Sequence, residues 1–282
     1  MVPQQHVVAD LHADGNEVDH LVENLDETQW RMDTPAEGWT IAHQIAHLAA
    51  TFRLASLAAT DPAGFEALTA RLSSDFSANV STAQAEYLGD TPPVLLSRWR
   101  AERASAEKAL AAVPADQLVP WLVRPLPASV LAAAGMMELF GHGQDIADAL
   151  QIRRRYTDRV RHVVEFAFRT WDFGYQARGL TTPDVQFRYE LTAPSGAQWR
   201  HGPPDAEQRI TGSAVDLCLL TTRRRHRDDL DLVATGAEAD RWLDIAQAYR
   251  GPAGSGRQPG ISQGLSRRQR VEVGGADHHA QR

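Results

Sequence analysis

The sequence predicts an α+β protein of two domains: an up-and-down four-helix bundle with extra helices over residues 1–179, then a small α/β domain over 180–250. Three observations predict it. Up to about residue 180, apolar residues recur three and four apart, the period of an amphipathic helix. After residue 184 they alternate, the period of a half-buried strand. Proline and glycine clusters cut the first region into long helical stretches with short connections, which is how a bundle is punctuated.

The elements follow in order. Residues 7–25 place Val7, Val8, Leu11, Val18, Leu21, Val22 and Leu25 on one stripe, with Gly15 and Asn16 weakening its middle. Asp33, Pro35 and Gly38 make a loop, Thr40 offers an N-cap for a helix to about Ala59, and Asp61-Pro62 closes it. A more polar helix is expected over 65–88, and another from Pro93, suited to a first turn, to Val113. Pro114, Pro120, Pro125 and Pro127 mark an irregular connection; Ser129 caps a helix to about Leu150, and Asp158 starts one that carries Val160, Val163, Val164, Phe166 and Trp171. In the second region Val185, Phe187, Tyr189 and Leu191 form a strand that turns at Ser195-Gly196 into a second, ending at Trp199. Ser213 and Asp216 have capping-box spacing for a helix through Leu220. Leu230, Leu232 and Ala234 read as a short strand, and residues 238–249 as a last helix stopped by Gly251 and Pro252. Residues 251–282, rich in Gly, Ser, Gln and Arg, are expected to be a disordered tail.

Composition limits the functional classes. Hydrophobic residues at 43% and charged residues at 23% give a chain with a real core, not a disordered one. A net charge of −7 argues against a general nucleic-acid binder, and no apolar run approaches the ~20 residues of a membrane span. Cys218 is the single cysteine, so neither an intrachain disulfide nor a multi-cysteine zinc site exists; it sits among Leu217, Leu219 and Leu220 and reads as core. With no signal peptide visible at the start, the expectation is a soluble cytoplasmic protein without nucleic-acid or membrane partners, acting on a small molecule. The oligomeric state is not legible. Motifs for nucleotide binding and serine hydrolysis are absent.

The chemistry sits on two helices. His43 and His47 are four apart, and so are Glu138 and His142, with Asp145 three further on. At ~100° per residue, positions i, i+4 and i+7 fall within roughly 60° of one helix face. If that face points into a bundle it needs a partner, because a buried carboxylate or imidazole is costly unless paired or metal-bound. His47, between Ile45 and Leu48 on another apolar helix, supplies a third ligand for Glu138 and His142. Taken singly, each pair also fits an ordinary i,i+4 contact on a solvated face. His12 and His20 read as surface or partly buried, His162 as a satisfied core histidine, and His278 and His279 as part of the tail.

The segment Gly38-Trp39-Thr40 followed by His47-Leu48 resembles the metal-binding signature of the DinB-like superfamily. Within it, Glu138, His142 and Asp145 resemble the mycothiol-dependent maleylpyruvate isomerase branch. Residues 210–223 and the later helix with Trp242-Leu243 are similar to that branch's small C-terminal domain of sterol-carrier-like α/β form, so the resemblance spans about 5–250. It implies that His47, Glu138 and His142 bind one divalent metal, most often zinc, with a fourth position left for water or the sulfur of a low-molecular-weight thiol such as mycothiol. A metal lowers the thiol's pKa, and with Glu138 the site carries a net +1 that favours an anionic nucleophile. His43 departs from the commoner family pattern, an acidic residue four before the metal histidine; it is left to orient His47, to act as general base, or to be a fourth ligand. Asp145 is a hydrogen-bond acceptor near the metal or substrate, or a plain solvated carboxylate. Arg223 matches an arginine that in the family faces the active site across the domain interface, and is the candidate to bind a carboxylate of substrate or thiol; alternatively it belongs to a solvated basic cluster beside Asp228, Asp229 and Asp231.

The expected function is therefore a metal-dependent enzyme that activates such a thiol for transfer to, or isomerisation of, a small electrophilic substrate. The alternatives are a thiol-independent hydrolase, lyase or cyclase on the same scaffold, and a non-catalytic metal- or ligand-binding protein.

Overall fold

The computed structural model describes residues 4–122 and 124–260, which fall into two compact units, Met1–Arg169 and Thr170–Arg282. The first unit is built on four long helices: α1 (Gln4–Val22), α3 (Ile41–Thr60), α6 (Pro92–Ala112) and α7 (Ala128–Ala149). Between them lie α2 (Glu27–Trp30), α4 (Pro62–Thr69) and α5 (Phe76–Leu88), and α8 (Arg161–Arg169) follows. Helix starts follow local chemistry. Asp26, Asp61 and Asp75 each accept a backbone N–H of the helix they cap, and Pro62 and Pro92 sit in first turns where a missing N–H costs nothing.

The bundle is a ring in which α1 packs on α6 and α7, and α3 on α6 and α7. Its wiring has one feature that periodicity does not carry. Asp19, Asn16 and His12 meet Arg100, Arg103 and Glu107, so α1 and α6 are antiparallel. Phe52 packs on Trp99 and Ser56 bonds Ser105, so α3 and α6 run the same way. The segment over 61–91, with α4 and α5, supplies the return that makes this possible. The single helix expected over 65–88 divides because Asp61 and Asp75 each start a helix of their own. Gly15, expected to weaken α1, is where Arg103 approaches: an added Cβ would stand 2.6 Å from its side chain, and Asn16 accepts a hydrogen bond from it. Ser129 does not cap α7; its hydroxyl donates to the Ala115 carbonyl, and the helix begins at Ala128 behind Pro127. The connection before it contains a short antiparallel pair, β1 (Leu118–Val119) and β2 (Leu126–Pro127).

The second unit is a four-stranded sheet in the order β4-β3-β5-β6, made of β3 (Phe187–Thr192), β4 (Gln198–His201), β5 (Gln208–Ser213) and β6 (Leu232–Thr235). β3 and β5 are parallel and the other pairs antiparallel. The expected turn is present, with Gly196 at φ 89° joining β3 to β4. β5 has no expectation behind it: only Ile210 of its six residues is fully buried, and Arg209, Thr211 and Gly212 erase the alternation. α10 (Ala214–Thr221), capped by Ser213, carries the buried Cys218, and α11 (Ala237–Ile245) ends four residues before Tyr249. The core is Phe187, Tyr189, Leu191, Ile210, Leu217, Trp242 and Leu243.

The division at Arg169/Thr170 lies ten residues before the change of period, because the segment with α9 (Phe173–Gln176) belongs to the sheet. Trp171 packs on Phe187, its carbonyl accepts the Trp242 indole N–H at 2.8 Å, and Tyr175 is fully buried. Of the expected tail, residues 251–260 are held at two points. Arg223 donates to the Gly254 carbonyl, and the Gly260 N–H donates to the Asp229 carboxylate. Residues 261–282, with His278 and His279, lie outside the described residues.

Candidate metal centre

A strap before α3 shapes the centre. Asp33 pairs with Thr40 as an isolated antiparallel bridge, Gly38 at φ 75° makes the turn between them, and the Ile41 N–H donates to Met32. Thr40 then caps α3 in a reciprocal box with His43: the Thr40 N–H donates to His43 Nδ1 at 3.3 Å, and the Thr40 hydroxyl stands 2.8 Å from the same atom. This places Trp39 over the first turns of α3. Its ring stacks on His142 with centroids 5.8 Å apart at 14°, and tilts against His47 at 5.3 Å.

His47 on α3 and Glu138 and His142 on α7 converge, with one nitrogen or oxygen from each all within 4.8 Å of one another. Glu138 Oε2 is 3.1 Å from His142 Nε2 and 3.5 Å from His47 Nε2. Behind the cluster, Gln44 Oε1 accepts from His142 Nδ1, and Gln44 Nε2 donates to the Thr34 hydroxyl at 2.8 Å. The three side chains are 19%, 23% and 11% exposed in the order His47, Glu138, His142, so solvent reaches them. Burial pushes the Glu138 carboxyl up, but hydrogen bonds and charge from His142 and His47 outweigh it and hold it well below the usual carboxylate range. Two imidazoles and a carboxylate are ligands that zinc takes. Among the described residues no lysine or arginine is paired with Glu138, so the donor set fits a cation.

The other expected site residues fall elsewhere. His43 is outside the converging group: its Nδ1 belongs to the helix cap, its carbonyl accepts from Gln84, and burial lowers its pKa. Asp145 is fully buried on α7 and so is not a solvated carboxylate, yet it too lies outside the group. Arg223 is in the second unit at φ 58°, just past α10; it donates to Gly254, and its charge together with burial lowers the pKa of Arg178. Of the remaining histidines, His162 is buried and bonded to Asp10 at 2.8 Å, and His12 is a largely exposed partner of Glu107. Gln44 and Thr34 carry no sequence signal as site residues. A fully buried glutamine bridging His142 and Thr34 is visible only once α3 is placed against α7.

Three comparisons bear on this geometry. Residues 11–147 match the model of the mycothiol maleylpyruvate isomerase N-terminal domain. Two uncharacterised proteins of Mycobacterium tuberculosis, from strains CDC 1551 / Oshkosh and ATCC 25618 / H37Rv, are each 44% identical over 250 residues, 89% of this chain and 97% of the relative. Among solved structures, the mycothiol-dependent maleylpyruvate isomerase and a mutant of it share the fold at TM-scores of 0.54 and 0.53. Each is 16% identical and covers 83% of this chain and 93% of that chain.

Proposed function

The chain belongs to the mycothiol maleylpyruvate isomerase N-terminal-domain family, and on that premise we propose that it is a metal-dependent, thiol-using enzyme. In this reading His47, Glu138 and His142 hold one divalent metal, zinc by ligand type, and a low-molecular-weight thiol such as mycothiol is the cosubstrate. The observation that carries it is the convergence of those three side chains within 4.8 Å while each stays partly open to solvent. Three protein ligands with solvent access match the ligand count of a catalytic rather than a closed structural site. When bound there, the metal lowers the pKa of a thiol and supplies thiolate at neutral pH.

The chain's own residues do the rest. Glu138 brings one negative charge against a divalent cation, so the centre stays net positive and prefers anionic sulfur. His43 gives its Nδ1 lone pair to the Thr40 N–H, so its neutral ring carries hydrogen on Nε2 and offers a donor to a substrate oxygen. Asp145, fully buried one turn beyond His142, is the candidate hydrogen-bond acceptor near the metal or substrate. Arg223, whose hydrogen bond in the second unit goes to a carbonyl and which stands near Arg178, is the candidate to take a carboxylate of substrate or thiol.

The substrate class is a small electrophile, and the reaction is thiol transfer or isomerisation by thiol addition. In isomerisation, sulfur bonds to an alkene carbon while the π electrons move to a conjugated carbonyl oxygen. Rotation and loss of the same thiolate then restore the alkene and the thiol.

The test is turnover of maleylpyruvate, then of other small unsaturated carboxylates, by zinc-loaded protein with and without mycothiol. The expected result is turnover that needs both metal and thiol and is lost in His47→Ala. Turnover that ignores the thiol, or that survives His47→Ala, contradicts the reading.

A further inference from the structure

We propose that Gln44 is a positioning residue of this centre: its amide, locked by Thr34, fixes His142 in the tautomer whose Nε2 lone pair faces Glu138 and His47. The inference deepens the metal-centre reading and rests on it. Thr34 Oγ1 donates to the Trp39 carbonyl at 2.8 Å, which uses its single hydrogen. Gln44 Nε2, 2.8 Å from that hydroxyl, must therefore donate to it. That turns Oε1 of the same amide toward His142 Nδ1. An amide oxygen has no hydrogen to give, so Nδ1 carries the proton and, in the neutral ring, Nε2 keeps its lone pair.

The consequence appears 3.1 Å away, where Nε2 meets Glu138 Oε2. In the neutral tautomer two lone pairs face each other, an arrangement that a cation held by both makes favourable. The relay is protected. Gln44 is 0% and Thr34 9% exposed, and the Thr34 N–H donates to the same Trp39 carbonyl at 2.8 Å, so water does not compete for these groups. Because the relay ends in a neutral amide, it orients His142 without adding a second negative charge, and Glu138 alone sets the charge of the ligand set.

Two readouts test this without enzymatic activity. In metal-free, 15N-labelled protein, long-range imidazole spectra should show His142 protonated at Nδ1, and this preference should disappear in Gln44→Leu. Zinc affinity, by competition with a chromophoric chelator, should fall ~10- to 100-fold in Gln44→Leu and less in Thr34→Val. Gln44→Glu, which keeps an acceptor for Nδ1–H, should recover most of the loss, a rescue that a merely space-filling role for Gln44 does not give. If Gln44→Leu does not fold, the wild-type spectrum and Thr34→Val carry the test. A wild-type His142 protonated at Nε2 and not at Nδ1, or unchanged zinc affinity in the variants, overturns the inference. Wild-type protein that binds no zinc overturns the metal reading instead, and the tautomer spectrum still decides the role of Gln44.

Discussion

Two clusters in the helical unit set carboxylates against imidazoles, and they are built to opposite ends. Where α1 meets α8 and the turn before it, Asp10 accepts from His162 and Arg161, each at 2.8 Å, and Asp14 accepts from Arg159 at 2.6 Å. Glu17 also pairs with Arg159. Each of these three acids meets a guanidinium. Between α3 and α7, Glu138 meets two imidazoles and no guanidinium among the described residues, and one of those imidazoles is backed by a neutral amide. A carboxylate–histidine contact is therefore not in itself the mark of a site. What separates the two clusters is that one already holds fixed guanidinium cations, whereas the other brings two imidazoles and a carboxylate together without one.

The largest effect that sharpens this contrast is on metal affinity. Glu138→Gln removes the only anion of the converging group, and zinc affinity should fall by ~100-fold or more, whereas Asp10→Asn should leave it unchanged; chelator competition reads both. Removing histidines should divide the same way. His142→Ala abolishes metal binding, while His162→Ala keeps it and lowers unfolding free energy by about 2–3 kcal/mol in urea, through lost packing and an Asp10 left with Arg161 alone.

The arginine-rich cluster has a pH signature of its own. Burial raises the Asp14 carboxyl to about 6 against the opposing pull of Arg159. A carboxyl raised in the folded state binds more protons there than in the unfolded chain, so its contribution to stability falls as pH rises from about 4 to about 6. Wild-type protein should lose about 2 kcal/mol relative to Asp14→Asn across that window, and a flat difference in urea midpoints between pH 4 and pH 7 would contradict it. The smallest effect concerns the strap. Thr40→Ala removes the cap of α3 and should cost about 1 kcal/mol in thermal unfolding while zinc affinity stays put, since neither Thr40 nor His43 is in the converging group. A parallel loss of zinc affinity would make His43 part of the centre.

Much of this was legible before the structure. The 3.6-residue pattern marks the long helices, and the i, i+4 spacing of Glu138 and His142 puts both on one face of α7. That His47 reaches them depends on α3 crossing at the right level; the sequence offers His47 as the partner that a buried Glu138 and His142 need, and the family resemblance implies it as their co-ligand. Gln44 and Thr34 were not legible, because a buried amide has no motif: its role exists only in the direction of three hydrogen bonds across the strap, α3 and α7. The parallel run of α3 and α6 was hidden for a similar reason, since helix direction is decided by which side chains meet. β5 escaped because one buried isoleucine among polar neighbours leaves no period to read.

The most direct measurement is the metal content of purified protein, reconstituted with zinc and freed of excess, by plasma mass spectrometry on wild type, Glu138→Gln and His162→Ala. The account predicts close to one zinc per chain in wild type and His162→Ala, and almost none in Glu138→Gln. Wild type without metal, or a Glu138→Gln variant that keeps its full share, would contradict it.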